Sequence, residues 1–257
     1  MPVAALVEAG DLFGIDENAV RVAVARLRAS GYVERNDRGQ YRLGPAAQAV
    51  NERVRSWRDL EARTGSWNRG WIGVLSGPMT GQAPRSERQE RVRALGFLGF
   101  RSLARSLTVR PDNLRGGVRA VRDELTTLGL PAGDMIFELG GLDAVTEARA
   151  RALWDVATLR RSYRKLLGEI ERGMQRLPGL GPERAMVETF LIGGRAVREL
   201  TYDPLLPDAL GPTTERCALI DALTRYDRHG RAAWAAFLER FGTPHYTPAR
   251  APMNASA

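Results

Sequence analysis

The fold of this chain is decided near its N-terminus by the stretch Phe13-Gly-Ile-Asp-Glu-Asn-Ala-Val-Arg-Val-Ala-Val-Ala-Arg-Leu-Arg-Ala-Ser-Gly-Tyr-Val-Glu34. A helix is predicted from about Glu17 to Ser30, because Asp16 is a good N-cap and Glu17 complements the positive end of the helix dipole. Gly31 suits the left-handed conformation that ends many helices. The stretch therefore predicts one capped helix around which the rest of the chain is organised.

The two sides of this predicted helix differ in chemistry. An apolar stripe at helical spacing is predicted to pack inward and consists of Val20, Ala23, Val24 and Leu27. The opposite side carries small residues, one amide and cations: Asn18, Arg21, Val22, Ala25 and Arg26, with Arg28 on the flank. Small residues let a helix enter a groove, and arginine and asparagine match the edges of guanine and adenine. This side is therefore a candidate for contacts with DNA bases.

A hairpin is predicted directly after the helix. The segments Tyr32-Val-Glu-Arg35 and Gln40-Tyr-Arg-Leu43 alternate and are joined by the polar turn Asn36-Asp-Arg-Gly39. A helix followed by a basic hairpin is the local plan of a winged helix-turn-helix. Phosphate or minor-groove contacts are predicted for three hairpin residues, Arg35, Arg38 and Arg42. The alternative is that these arginines form a solvated face of an ordinary helix and hairpin.

Composition indicates the class of partner. The 257 residues carry a net charge of +8 with a pI near 10.4, which favours a polyanion. Lys165 is the single lysine, and alanine, arginine and glycine are abundant, so a genomic bias could account for part of this basicity. The length predicts two or three domains.

Other features of the composition predict a cytoplasmic protein without catalytic or metal chemistry. Cys217 is the single cysteine, which excludes an internal disulfide framework, and neither a signal peptide nor a membrane-spanning apolar run is present in this sequence. The two histidines, His229 and His245, share no ligand spacing with Cys217. We therefore predict no catalytic residues, no metal site and no cofactor.

The predicted organisation is an α+β multidomain chain. Residues 1–45 are predicted to form a winged helix domain, 46–65 a linker helix, 66–141 a ferredoxin-like middle domain, 142–242 a helical C-terminal domain and 243–257 a disordered tail. The middle domain is predicted from the order strand, helix, strand, strand, helix, strand. Within the C-terminal domain, helices are expected from about Glu215 to Tyr226 and from Arg231 to Phe241. The segment Asp203-Pro-Leu-Leu-Pro-Asp-Ala-Leu-Gly-Pro212 is expected to be an apolar loop.

With these residues laid out, the chain resembles the PaaX family, the bacterial repressors of phenylacetic acid catabolism. The resemblance rests on Phe13-Gly-Ile, Ala19 to Leu27, Gly39-Gln-Tyr-Arg-Leu43, Trp67 and Trp71, Trp154-Asp-Val with Leu159 and Tyr163, and Asp203-Pro-Leu-Leu-Pro207. It implies a winged helix, a ferredoxin-like domain similar to small CRISPR-associated endoribonucleases, and a helical domain. It further implies a homodimer that binds palindromic operator DNA of a catabolic operon and is released by phenylacetyl-CoA or another acyl-CoA.

Two departures from the family pattern accompany this resemblance. Family members usually begin with an additional helix behind the recognition helix, whereas only about a dozen residues precede Gly14 here. The comparison with the family pattern therefore predicts that the winged helix lacks one N-terminal helix, which would leave Val20, Val24 and Leu27 exposed. The second departure is Thr213-Thr-Glu-Arg-Cys217, which replaces a tryptophan-containing segment and leaves the effector open.

Two other functions remain as alternatives. The first is a ligand-sensing or partner-binding protein that has lost DNA recognition. The second is a metal-dependent nuclease built on the middle domain, for which the end of the first strand, Leu75-Ser-Gly-Pro, supplies no carboxylate. Trp67 and Trp71 could stack on bases, but Trp71 is predicted to be a core or interface residue. Arginine is too abundant for the sequence to assign a ligand site, which stays unknown.

Overall fold

Residues 1–77 and 85–242 are described by the computed structural model, and they form a mixed α+β protein with two units. The first unit contains Met1–Gln48, Leu177–Phe190 and the described chain from Asp227 onward. The second unit contains Ala49–Arg176 and Leu191–Tyr226. The predicted α+β class is confirmed, whereas the predicted domain boundaries stay predictions. The predicted tail 243–257, with His245, lies outside the described residues.

The first unit begins with two helices, α1 (Val3–Leu12) and α2 (Glu17–Ala29). The Asp16 side chain accepts a hydrogen bond from the Ala19 amide at 2.9 Å, so the predicted N-cap of α2 is present. Gly31 has a φ of +73°, and the Tyr32 amide donates to the Leu27 carbonyl at 2.9 Å. The helix therefore ends in the left-handed glycine conformation that the sequence predicted.

A two-stranded antiparallel hairpin follows α2 and consists of β1 (Val33–Arg35) and β2 (Tyr41–Leu43). Its turn is held by Asn36, whose side-chain oxygen accepts from the amides of Arg38 at 3.1 Å and Gln40 at 2.8 Å. Gly39 has a φ of +75°. The predicted hairpin is thus present, with the polar turn at the predicted place.

The first unit is completed by residues from the C-terminal part of the chain. The Phe13 ring lies 5.1 Å from the Phe190 ring and 6.4 Å from the Trp234 ring, measured between centroids. The Trp234 indole N–H donates to the Met186 carbonyl at 3.0 Å, which fixes the orientation of the ring. Phe237 packs edge-on against Trp234 at 5.4 Å. The turn between α1 and α2 is therefore packed on an aromatic cluster, as expected from the area that such rings bury.

The second unit contains a four-stranded sheet with two helices in the order strand, helix, strand, strand, helix, strand. These elements are β3 (Trp71–Leu75), α4 (Arg85–Phe97), β4 (Arg101–Ala104), β5 (Leu107–Pro111), α5 (Gly117–Thr127) and β6 (Met135–Leu139). The strands lie side by side in the order β4, β5, β3, β6, and each neighbouring pair is antiparallel. The element order agrees with the prediction, and Trp71 is buried, as predicted for a core residue.

Two helices in this unit are shorter than predicted. The helix expected from 46 onward is α3 (Gln48–Arg55), followed by 3-10 turns at Ser56–Asp59 and Glu61–Arg63. The Ser56 hydroxyl donates to the Arg53 carbonyl at 2.9 Å, a local bond that competes with helix continuation. The second helix of the middle domain, which the sequence predicts over residues 112–128, begins only at Gly117, because Gly116 and Gly117 both have positive φ.

Four helices make up the remainder: α6 (Ala144–Arg151), α7 (Val156–Arg176), α8 (Pro182–Thr201) and α9 (Thr213–Arg240). The expectation of two helices between Glu215 and Phe241 is wrong, since α9 runs through Gly230 without a break. A Cβ at Gly230 would lie 3.4 Å from the Cβ of Thr189, so the glycine accommodates a close neighbour. Nowhere in the described ranges does a helix combine the length and apolar character needed to cross a bilayer.

The proline-containing loop 202–212 is anchored by buried polar side chains of the second unit. The Tyr163 hydroxyl donates to the Asp203 carboxylate, which also accepts from the Leu205 amide at 2.7 Å. Burial raises the pKa of Asp203, while nearby Arg216 opposes this shift. Arg216 in turn donates to Glu61 at 2.8 Å. The buried acid of this loop is therefore hydrogen-bonded to α7 and within the loop itself, and Arg216 of α9 lies 3.6 Å from it.

Candidate nucleic-acid interface

Helix α2 approaches α1 closely at a glycine. Gly10 is buried, and a Cβ at this position would lie 2.6 Å from Cγ2 of Val20. Val20 and Val24 are half-buried, whereas Leu27 is 44% exposed. No residue of this completely described helix is fully buried. The predicted apolar stripe thus packs only in part, and most of the helix surface is accessible.

The predicted base-contacting side of α2 faces solvent. All six of its predicted residues are exposed: Asn18, Arg21, Val22, Ala25, Arg26 and Arg28. Four of them, Asn18, Arg21, Val22 and Ala25, lie within a sector of about 100° at 3.6 residues per turn. The structure therefore brings an amide, a guanidinium and two small side chains to one exposed surface.

Arg21 is oriented by a carboxylate one turn earlier in the helix. Its Nε and Nη2 lie 2.7 and 2.6 Å from Oε1 of Glu17. Both side chains are more than half exposed, so this ion pair contributes little to stability and is free to exchange. The contact engages Nε and Nη2 of the guanidinium and leaves Nη1 without a partner among the described residues.

The three predicted hairpin arginines are also exposed. Arg42 donates from Nε and Nη2 to Oε2 of Glu34 at 3.1 and 2.9 Å, across the pair of strands. Arg38 and Arg35 make no ion pair with any described residue. A Cβ at Gly39 would lie 3.1 Å from Nη2 of Arg35, so the glycine leaves room for that side chain beside the turn. The hairpin thus presents at least two cations that form no ion pair within the described part of the chain.

A groove of about 770 Å³ lies between the C-terminal end of α2 and the hairpin. Its lining includes Arg28 from the helix and Val33, Arg35 and Asn36 from the hairpin. The groove joins the two sets of predicted contact residues, and its lining balances the charges of Arg28 and Arg35 with those of Glu34 and Asp37. Arginine and amide donors are groups that bind backbone phosphates.

The described residues offer little for metal or nucleophilic chemistry. No group of three or more His, Cys, Asp and Glu side chains within 1–77 and 85–242 could hold a metal ion. Burial raises the pKa of Cys217 above its ordinary value, which keeps the thiol protonated, and His229 is exposed. The end of β3 is the place where the nuclease alternative needs a carboxylate. There the Asp134 carboxylate accepts a hydrogen bond from the Gly77 amide at 3.2 Å and pairs with Arg91 at 2.7 Å.

The sequence interpretation missed the two carboxylates that hold arginines at this surface. Glu17 was assigned only a role at the helix dipole, although its spacing of four residues from Arg21 is that of a helical ion pair. Glu34 and Arg42 become neighbours through the hairpin register, which pairs them directly. Both partners could have been found from spacing once the helix and the hairpin had been placed.

Comparison with solved structures gives a relative that is similar along most of the chain. It is the uncharacterized protein Rv0674 from Mycobacterium tuberculosis, with a TM-score of 0.53 and 23% sequence identity. The similarity covers 90% of this chain and 91% of that protein, and at this identity it concerns the fold alone. A comparison with curated protein sequences gives no match.

Comparison with family models gives a match in the region that carries α2 and the hairpin. The matched residues, 1–47, contain all nine predicted contact residues. The resemblance stated from the sequence is confirmed for this segment. Residues 1–47 of the chain match the model of the PaaX-like protein family.

Proposed function

We propose that this protein is a transcriptional regulator of the PaaX type that binds double-stranded DNA and has no catalytic activity. One observation carries the proposal: every residue predicted to contact DNA is exposed, on one helix and one hairpin, within the 47 residues matched by the family model. In this proposal α1, α2 and the hairpin act as a winged helix-turn-helix, with α2 in the major groove and the hairpin along the backbone.

The proposed roles follow from the chemistry and position of each side chain. Asn18 and Arg21 would read bases, because their amide and guanidinium groups match adenine and guanine edges. Val22 and Ala25 would let the helix approach the groove floor. The remaining arginines of the surface would contact phosphates: Arg26, Arg28, Arg35, Arg38 and Arg42. Arg26 and Arg28 would also be within reach of base edges, and the three hairpin arginines would extend to the minor groove.

Further parts of the proposal rest on the resemblance to the PaaX family. The β4, β5, β3, β6 sheet with its two helices supports a ferredoxin-like middle domain. A homodimer would bind a palindromic operator, since two-fold symmetric proteins match two-fold symmetric sites. The regulator would act in the cytoplasm as a repressor of a catabolic operon. Phenylacetyl-CoA or a related acyl-CoA would weaken its binding.

The test is fluorescence anisotropy of the full chain on the duplex upstream of its own gene and on a scrambled duplex at near-physiological salt. We expect Arg21→Ala to reduce the preference for the upstream duplex by about 1–3 kcal/mol, a factor of roughly 5 to 160. Arg119→Ala, at an exposed position of the second unit, serves as the matched control.

Three outcomes separate the candidate functions. A preference for the upstream duplex that acyl-CoA lowers would support the regulator. Equal, weak binding to both duplexes would overturn DNA recognition and favour a ligand-sensing or partner-binding protein. An unchanged preference in Arg21→Ala would remove Arg21 from its proposed role while leaving DNA binding intact.

A further inference from the structure

Three tryptophans of the second unit form a continuous stack that ends at the protein surface. Trp154 and Trp71 lie nearly parallel, with centroids 6.1 Å apart, and Trp67 meets Trp71 edge-on at 5.4 Å. The Arg151 guanidinium lies over the Trp67 ring, 5.0 Å from its centroid. A cation is therefore held at the outer end of a rigid aromatic stack.

A fixed carboxylate holds this cation in place. Glu147 accepts from the Trp71 indole N–H at 2.8 Å through one oxygen and from Nε of Arg151 at 2.7 Å through the other. Both carboxylate oxygens are thus engaged by the protein itself. The two terminal nitrogens of Arg151 have no partner in the described part of the chain, so they remain as oriented donors at the surface.

A second cation reaches the same place from a strained turn. Arg69 has a φ of +69°, in the left-handed region that non-glycine residues rarely adopt. The strain is held by two bonds to Gly70, whose amide donates to Asn68 at 2.9 Å and whose carbonyl accepts from Trp67 at 2.6 Å. Arg69 itself has no ion pair with any described residue, so its charge is uncompensated.

The two arginines line one pocket of about 400 Å³ together with Gly141, Leu142 and Glu147. Two arginines and one glutamate give this lining a net charge of +1. Leu142 adds an apolar wall, because it packs against the core cluster that contains Trp71 and Trp154. A small concave site with fixed polar groups beside apolar surface has the character of a ligand pocket.

We infer that this pocket, the Arg69–Arg151 pocket, binds the carboxylate or phosphate group of a small organic anion. Arg69 and the terminal nitrogens of Arg151 donate to the oxyanion, while Leu142 contacts the apolar part of the ligand. The site stands on the second unit alone. If the proposed regulator function holds, the Arg69–Arg151 pocket is the site where an anionic effector binds.

The test is isothermal titration calorimetry of the full chain, without DNA, using benzoate, phenyl phosphate and inorganic phosphate as probes. Benzyl alcohol is the neutral control. We expect saturable binding of at least one aromatic anion, and the preferred probe tells a carboxylate from a phosphate ligand. Arg69→Gln should weaken that binding about tenfold or more, because it removes a charge-assisted donor. Arg151→Lys keeps the charge but loses the planar fork, so it should also weaken binding.

The control variant is Arg119→Gln, which lies outside the pocket and should bind as the parent does. NMR should show the Trp67 indole N–H shifting with the bound anion. The inference is overturned if no probe saturates the protein up to about 10 mM, a concentration well above the dissociation constant expected for a site with two arginines. It is equally overturned if Arg69→Gln binds like the Arg119→Gln control, or if benzyl alcohol binds as well as the anions. None of these results depends on whether the protein binds DNA.

Discussion

The proposed binding to DNA should depend on salt because of the exposed cations of α2 and the hairpin. Of the five arginines proposed to contact phosphates, Arg42 is paired with Glu34, whereas the other four have no partner in the described part of the chain and are free for phosphate contacts: Arg26, Arg28, Arg35 and Arg38. Each neutralised phosphate changes the slope of log K against log salt by about −0.9, so one protein copy should give roughly −3.6. Raising salt from 50 to 200 mM should then weaken binding about 150-fold per copy.

Arg38→Ala isolates the contribution of the hairpin. The side chain is exposed and unpaired among the described residues, so its removal should not disturb the fold. We expect the slope to become shallower by about 0.9, with equal weakening on the upstream and scrambled duplexes. Two protein copies on one site would double both the total slope and this change.

Anisotropy at several salt concentrations on both duplexes measures these slopes directly. The Arg119→Ala control should retain the parent slope. A parent slope close to zero would refute phosphate contacts by this surface. A slope for Arg38→Ala equal to that of the control would show that the hairpin does not contact the backbone.

Two further predictions concern the folded state. Gly10→Ala places a methyl group against Val20 and should destabilise the first unit by about 1–3 kcal/mol in urea unfolding. The control Gly96→Ala, where nothing lies within 4 Å of the new Cβ, should be neutral or stabilising. Equal effects of the two substitutions would refute the close approach of α1 and α2. Hydrogen bonds from Thr146 lower the pKa of Asp143, because they favour its charged form. The stability that these bonds give to the folded protein is present above the ordinary pKa of 3.8 and is lost as the pH falls through the lowered pKa. Thr146→Val should raise the titration midpoint of Asp143 followed by NMR, and an unchanged midpoint would contradict this account.

Local signals in the sequence were sufficient for α2 and the hairpin. Each signal depends only on residues a few positions away: the Asp16 cap, the apolar period and Gly31. Both ends of the helix were therefore predicted within one residue. The pairing register of the sheet was not predicted, because β3 pairs with strands more than thirty residues away in the chain.

Tertiary packing determines the two features that the sequence did not predict, the continuous helix α9 and the Arg69–Arg151 pocket. The sequence predicted two helices with a gap between Tyr226 and Arg231, but α9 continues through Gly230, because tertiary packing offsets the roughly 1 kcal/mol that a glycine costs within a helix. The Arg69–Arg151 pocket combines residues from a turn, a loop after β6 and helix α6. In a chain so rich in arginine, no local pattern distinguishes these two from the others.

The assembly of the first unit from distant parts of the chain has a consequence for protein synthesis. Phe13 packs on Phe190 and Trp234, and Glu8 forms an ion pair with Arg240. At about 5–20 residues per second, the ribosome needs roughly 10–40 s after residue 48 to produce these partners. The emerging N-terminal segment must wait for them, so a chain still attached to the ribosome lacks the completed unit. A messenger RNA truncated before these codons would yield polypeptides with the side chains proposed to contact DNA but without their support.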